Sequence, residues 1–408
     1  MILSVVPPFL YVALQISTRT PWRCGMWIAR ATLCLASRQS GLGHLSFVRY
    51  IGSKGSVRCV CCSDPVQCPV SLPLIKLTTL LVVICSVTTP VPVACPMIHH
   101  SEMEIDMTTS ESLTLLASGG AFFEGPRWHD GRWWVSDLYR KGVFTYTSEG
   151  VEEPIATLDD QPSGLGFLPD GSLLYVAQSG QVIYRRSPDG STTIHADLSS
   201  VGDGHLNDLV VDDRGYAYAG FFGFDPFADE RPKSAAVVCI KPNGKFFVAA
   251  DDLWFPNGSV ITEDGSTLIV GESLAGRYTA FDIAEDGSLT NRRPWAVLCE
   301  FGDTSSTASA LLASTAVIPD GCCLDAEGAI WFADIKGCRA VRVAEGGEIL
   351  DVIPAPEGQN IFACMLGGDD RQTLLMCVAP GMRDNDRLGD LAATLRTTRV
   401  AVPGAGRP

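Results

Sequence analysis

From residue 111 onward the chain repeats one alternation of hydrophobic and polar positions: a polar residue, a short apolar run, an acid–Gly turn and a second apolar run. The clearest copy is Ile318-Pro-Asp-Gly-Cys-Cys-Leu-Asp-Ala-Glu-Gly-Ala-Ile-Trp-Phe-Ala-Asp334, in which Asp320 leads and Glu327-Gly328 makes the turn. Earlier copies lead with Glu124, Ser163, Asn207 and Asn257, and turn at Asp130-Gly131, Asp170-Gly171, Asp213-Arg-Gly215 and Asp264-Gly265. A degenerate sixth copy runs from Ile361–Leu366 through Gly367-Gly-Asp-Asp370 to Thr373–Val378. The turn acid follows the leading polar residue by six or seven positions in the five full copies. Such runs, rich in β-branched and aromatic residues and broken by Asp and Gly, predict β-hairpins.

The hairpins recur about 40 to 60 residues apart, with further apolar runs between them at Val143–Tyr146, Val182–Arg185, Val237–Lys241, Tyr278–Asp282 and Ala340–Val343. That spacing fits four-stranded blades, and six of them predict an all-β fold: a six-bladed β-propeller over residues 107–408 around a central channel. An open sheet edge is a liability, so the Thr394–Val402 run is expected to pair with Leu113–Ala117 and close the ring. A β-sandwich would not explain so regular a register.

The innermost strand of each propeller blade lines the channel. Residues at one register at the start of that strand therefore converge, which brings Glu124, Ser163, Asn207, Asn257 and Asp320 towards a single point. Two carboxylates and two carboxamides, without histidine or thiol, make a hard-oxygen set suited to Ca²⁺, Mg²⁺ or Mn²⁺ rather than a dedicated zinc site.

These are also the residues in which the chain resembles the senescence marker protein/gluconolactonase/luciferin-regenerating enzyme-like family. The pieces that carry the resemblance are Glu124-Gly-Pro126, Asn207-Asp208, Asn257-Gly258 and Pro319-Asp-Gly-x-x-x-Asp-x-Glu-Gly-x-x-Trp331, followed by Gly337-x-Arg339-x-x-Arg342. They span residues 111–402 in family order. The resemblance implies a propeller holding one divalent metal ion, Ca²⁺ first with Mg²⁺, Mn²⁺ or Zn²⁺ as alternatives, and hydrolysing small-molecule lactones. It puts Glu124, Asn257 and Asp320 on the metal, Asp320 also on proton transfer, and Asn207 on the substrate. His205 stands where sugar-lactone members carry arginine; with Ser163 it is assigned to the substrate side, and a passive channel-wall role for it stays open.

A lactone is an activated ester whose carbonyl must be polarised while water is delivered, which a divalent ion and a carboxylate base can share. The chain has no Gly-x-Ser-x-Gly elbow, phosphate loop or dinucleotide fingerprint, so metal-assisted hydrolysis is the reaction class with residues to support it. The competing readings are a non-catalytic metal- or ligand-binding propeller and an ester or phosphotriester hydrolase on the same site. Trp128, Trp133 and Trp134 read as blade packing before they read as a sugar platform.

Charge divides the chain. Residues 1–100 hold eight Lys/Arg and one acid, Asp64, leaving 23 basic against 45 acidic residues in the remainder. So acidic a body excludes nucleic acid as the expected partner and favours cations and small metabolites. Eight of the 15 cysteines also precede residue 100. Those of the body, such as Cys239, Cys364 and Cys377, lie in apolar runs where a free thiol serves as a small core residue. Residues 1–106 show no sustained period and read as a disordered or mis-assigned extension, with Leu77–Ala94 as a marginal membrane anchor in the competing reading. The propeller body is expected to avoid membranes. The Asn257-Gly-Ser259 sequon at a channel position favours a cytoplasmic protein.

Overall fold

The computed structural model describes residues 113–202, 204–225, 230–381 and 389–406, together with five strands within residues 2–61. Those five strands pair consecutively as an antiparallel sheet of their own, a unit for which the sequence carries no strand period. The Leu77–Ala94 stretch and the Met107 start of the expected domain fall outside the described residues.

Residues 114–399 form six four-stranded antiparallel sheets, each running outward from an inner strand. The inner strands are Phe123–His129, Pro162–Phe167, Leu206–Val211, Pro256–Ile261, Pro319–Leu324 and Asn360–Gly367. Each contacts the next around a closed ring, so the architecture is the six-bladed propeller that the repeat predicts. The third strands, at 142–146, 182–186, 235–240, 277–283 and 339–343, fall where the apolar runs put them. Ring closure is also as expected: Ala393–Arg399 pairs with Thr114–Gly120, with Leu395 opposite Ala117.

The local chemistry explains the hairpins. Asp130 and Gly131 both take positive φ, 50° and 70°, which is the two-residue turn whose twist matches its flanking strands. In the third and fifth blades the acid that ties the turn is not the one expected. Asp212, rather than Asp213, accepts the Arg214 and Tyr216 N–H groups at 2.9 and 2.8 Å. Asp325, rather than Glu327, accepts those of Glu327 and Ala329 at 2.9 and 3.0 Å.

Adjacent inner strands approach so closely that no side chain fits beside the register positions. A Cβ on Gly258 would strike the Asp320 carbonyl, and one on Gly321 would strike Ala363. A cavity of ≈30 Å³ lies among the inner strands, lined by Arg127, Val210, Ile261, Leu324, Met365 and, from the C-terminal tail, Ala405. The tail is held there by hydrogen bonds from Ala326 N–H to Pro403 O (2.8 Å) and from Ala405 N–H to Leu324 O (3.0 Å).

Just before the inner strand Pro319–Leu324 lies a short helix, Ala308–Ser314, capped by Thr307. Its Ala308 and Leu311 are buried against Phe222, Phe224, Phe255 and Leu274. Cys239, Cys364 and Cys377 are buried free thiols, as their apolar surroundings in the sequence suggest. Trp133 is buried with Trp128 tilted against it at 4.7 Å, and Trp134 donates to His129 O at 3.0 Å, which is blade packing.

Candidate functional site

The leading polar residues Glu124, Ser163, Asn207, Asn257 and Asp320 each occupy the second position of an inner strand. The equivalent position in the sixth blade is Ile361, fully buried, which closes one side of the ring with hydrocarbon. In every blade the pairing register breaks at this position, between Glu124 and Arg127, Pro162 and Leu165, Leu206 and Leu209, Pro256 and Ser259, Pro319 and Cys322, and Ile361 and Ala363. A bulge bends the strand and re-aims the side chain it carries. Six bulges at one register are the local reason that these side chains depart from the ordinary pleat. Proline opens the strand at Pro162, Pro256 and Pro319, where a first-strand residue has no ladder hydrogen bond to lose.

The contacts join neighbouring members of the set. Asn207 Nδ2 donates to the Pro256 carbonyl at 3.3 Å, reaching the next blade. Asn257 Nδ2 donates to Ser273 Oγ at 3.0 Å, and Ser273 Oγ in turn donates to the Pro319 carbonyl at 2.6 Å. Because that hydroxyl proton is committed to Pro319, Ser273 can only accept from Asn257, which fixes the carboxamide with nitrogen towards Ser273. The amide oxygen is then the atom left to meet a ligand. Asn257 also hydrogen-bonds Asp320. Ser163 is buried, and its carbonyl accepts from Ser136 Oγ at 2.5 Å.

Charge is unbalanced at this point. Burial raises the Asp320 carboxyl to about 7, and the nearby Asp208 adds to the rise, against the hydrogen bonds from Asn257 and the Gly321 N–H. Burial and then the charge of Asp320 push Glu124 well above the usual carboxylate range, opposed mainly by the Gly125 N–H at 3.1 Å. The nearby cation is Arg127, and it is committed elsewhere: it pairs with Asp208 at 3.0 Å and donates to the Leu209 and Pro126 carbonyls at 2.7 and 2.8 Å. Among the described residues Glu124 and Asp320 have no ion-pair partner. Two carboxylates, Asp320 buried and Glu124 half-buried, beside a fixed carboxamide oxygen fit a bound hard cation, which would supply the charge that the protein does not. The donor set holds only two acids, and no group of three His, Cys, Asp or Glu suited to a metal occurs among the described residues.

His205 lies two positions before Asn207, with its ring packed on Phe222 at 5.8 Å. Among the described residues no hydrogen bond joins it to Asn207 or to the carboxylates. Sequence reasoning passed over Ser273, the Arg127–Asp208 pair and Ile361. Asp208 stood beside a leading asparagine and Ile361 opened the sixth copy, whereas nothing local distinguishes Ser273 or Arg127 from ordinary strand residues.

A propeller whose inner strands carry an oxygen-rich, acid-bearing ring at one register defines a class: propellers built to hold a cation or a small polar ligand on their axis. The chain belongs to the SMP-30/gluconolactonase/LRE-like family, whose model matches residues 122–380. It is similar to regucalcin of Danio rerio, 28% identical over 219 residues, covering 52% of this chain and 68% of that one. It is also similar to 6-deoxy-6-sulfogluconolactonase of Pseudomonas putida, 24% identical over 255 residues, 62% and 81% of the two chains. Among solved structures, regucalcin of Agrobacterium tumefaciens, described as a calcium-binding protein, shares the fold with a TM-score of 0.57 at 19% identity, over 72% of this chain and 98% of that one.

Proposed function

We propose that the protein is a divalent-metal-dependent hydrolase that opens a small-molecule lactone, with Glu124, Asn257 and Asp320 as the metal ligands. The observation that carries this reading is the pair of carboxylates, buried Asp320 and half-buried Glu124, which have no ion-pair partner among the described residues and stand beside the oriented amide of Asn257. Family membership and relatives named as a sulfogluconolactonase and as the pentonolactonase of Haloferax volcanii support the lactone as the substrate class. Ca²⁺ is the ion favoured by the all-oxygen set, with Mg²⁺, Mn²⁺ and Zn²⁺ as competitors.

When bound, the ion supplies Lewis-acid polarisation of the ester carbonyl and of a water molecule. Asp320 is the general base: its carboxylate takes the proton from the attacking water and returns it to the leaving alkoxide oxygen. Asn207, Ser163 and His205 orient the lactone from the neighbouring blades.

The test is lactone hydrolysis by metal-stripped protein resupplied in turn with Ca²⁺, Mg²⁺, Mn²⁺ or Zn²⁺, with Asp320→Asn in parallel. Turnover restored by metal and abolished by Asp320→Asn is the expected result. Metal binding without turnover across sugar, aliphatic and aromatic lactones would favour a non-catalytic binding propeller.

A further inference from the structure

We propose that Asp137, Glu272 and Asp334 are positioning residues that hold the three metal-bearing strands in register, an inference that rests on the metal reading above. In every blade the first residue of the inner strand pairs with the last residue or residues of the second strand. In blade order the partners are Asp137, Ala177, Phe221, Glu272, Asp334 and Ala379. The acids stand in the blades of Glu124, Asn257 and Asp320. Alanine or phenylalanine stands in those of Ser163, Asn207 and Ile361.

All three acids are fully buried, and all three grip the chain entering their own inner strand. Asp137 accepts the Ala121 and Phe122 N–H groups at 2.9 and 3.1 Å. Glu272 accepts the Trp254 N–H at 2.9 Å, and Asp334 accepts that of Ile318 at 3.2 Å. The gripped amides thus lie two or three residues ahead of Glu124, Asn257 and Asp320. Each carboxylate is anchored in turn. Arg277 donates to Glu272 through Nε and Nη2, both at 2.8 Å, and Thr279 Oγ1 donates at 2.5 Å. Arg339 Nε and the Gly337 N–H donate to Asp334 at 2.9 and 3.1 Å. The Arg140 N–H donates to Asp137 at 3.2 Å.

Each grip ties the end of the second strand to the backbone just before the bulge through a buried side-chain acceptor, and a buried amide left without its acceptor is costly. Ligands of one ion must be held within about 0.5 Å of a shared geometry, whereas wall residues tolerate more freedom. A buried acid at this register in those three blades, with Ala177, Phe221 and Ala379 in the others, follows from that difference.

The experiment titrates Ca²⁺ and Mn²⁺ calorimetrically into the metal-stripped full chain and into Asp137→Asn, Glu272→Gln and Asp334→Asn. Amide exchange of Phe122, Trp254 and Ile318 is followed in the same samples. Phe221→Leu, at the same register in a blade without an acid, is the control for lost stability. The expected result is metal binding weakened about 10- to 100-fold in the acid variants, with faster local exchange and unchanged near-UV circular dichroism. Phe221→Leu should lower Tm and leave metal affinity intact. Where an amide variant fails to fold, Asp334→Glu, which keeps the charge but shifts the acceptors by one methylene, is read in the same way. Wild-type metal affinity in the acid variants overturns this inference alone. A wild-type chain that binds no divalent ion overturns the metal reading and this inference with it.

Discussion

The Asn257 carboxamide donates to the hydroxyl of Ser273 at 3.0 Å, and that hydroxyl has already given its proton to the carbonyl of Pro319, the residue before Asp320. One buried serine therefore orients a candidate ligand in the fourth blade and braces the strand that carries another in the fifth. Replacing it with alanine leaves the amide free to turn and the Pro319 carbonyl without its donor. Ser273→Ala should cost about 1–3 kcal/mol in urea unfolding through the unsatisfied buried groups. It should also weaken divalent-ion binding by calorimetry. Lost stability with unchanged ion affinity would show that the amide orientation does not depend on Ser273.

Arg127 and Asp208 form a second buried pair in the channel, with side chains only 5% and 10% exposed. Removing one partner strands the other charge out of water, whereas removing both does not. Arg127→Met should therefore destabilise by about 3–5 kcal/mol. The double variant Arg127→Met/Asp208→Asn should recover a large part of that loss. Denaturant midpoints for the two single variants and the double variant complete the cycle, and strictly additive losses would mean that the pair is not coupled.

The repeat and its closure were legible because a propeller imposes a period and a register, and both are written in the positions of Glu124, Asn207, Asn257 and Asp320. Support from other strands was not legible. Ser273 and Arg127 act through neighbours 16 and 81 residues away, and no local pattern marks them. The turn acids of the third and fifth blades were misplaced because two acids lie one or two positions apart, Asp212 with Asp213 and Asp325 with Glu327, and only backbone geometry decides which one caps. The helix Ala308–Ser314 escaped notice because Ala308 and Leu311 are its only residues buried in the core, too few to make an apolar stripe.

Ring closure by Thr114–Gly120 makes that strand the outermost of the sixth blade, paired with Ala393–Arg399. A chain beginning at residue 113 should keep the ring and unfold cooperatively. One beginning at residue 121 exposes the edge of Ala393–Arg399 and should aggregate or lose its cooperative transition. Light scattering and thermal melts of the two chains compare them directly, and equal behaviour would show that the closing strand is dispensable.

The unpaired carboxylates give the metal-free protein a definite pH dependence. Glu124 and Asp320 are raised in the folded state, so between the unfolded carboxylate range near pH ~4 and the folded value of Asp320, about 7, the native chain holds protons that the unfolded chain has released. Stability rises with pH only where the unfolded state binds more protons; here it binds fewer, so the contribution of these groups to stability falls as pH rises through that window. Tm of metal-stripped protein should accordingly drop from pH 5 to pH 8, and Asp320→Asn should flatten the drop. Saturating Ca²⁺ should restore Tm most at the upper end, where Asp320 is ionised and the ion replaces its missing proton. A Tm profile of stripped protein unchanged by Asp320→Asn and by Ca²⁺ would mean that the two carboxylates do not meet at one cation site.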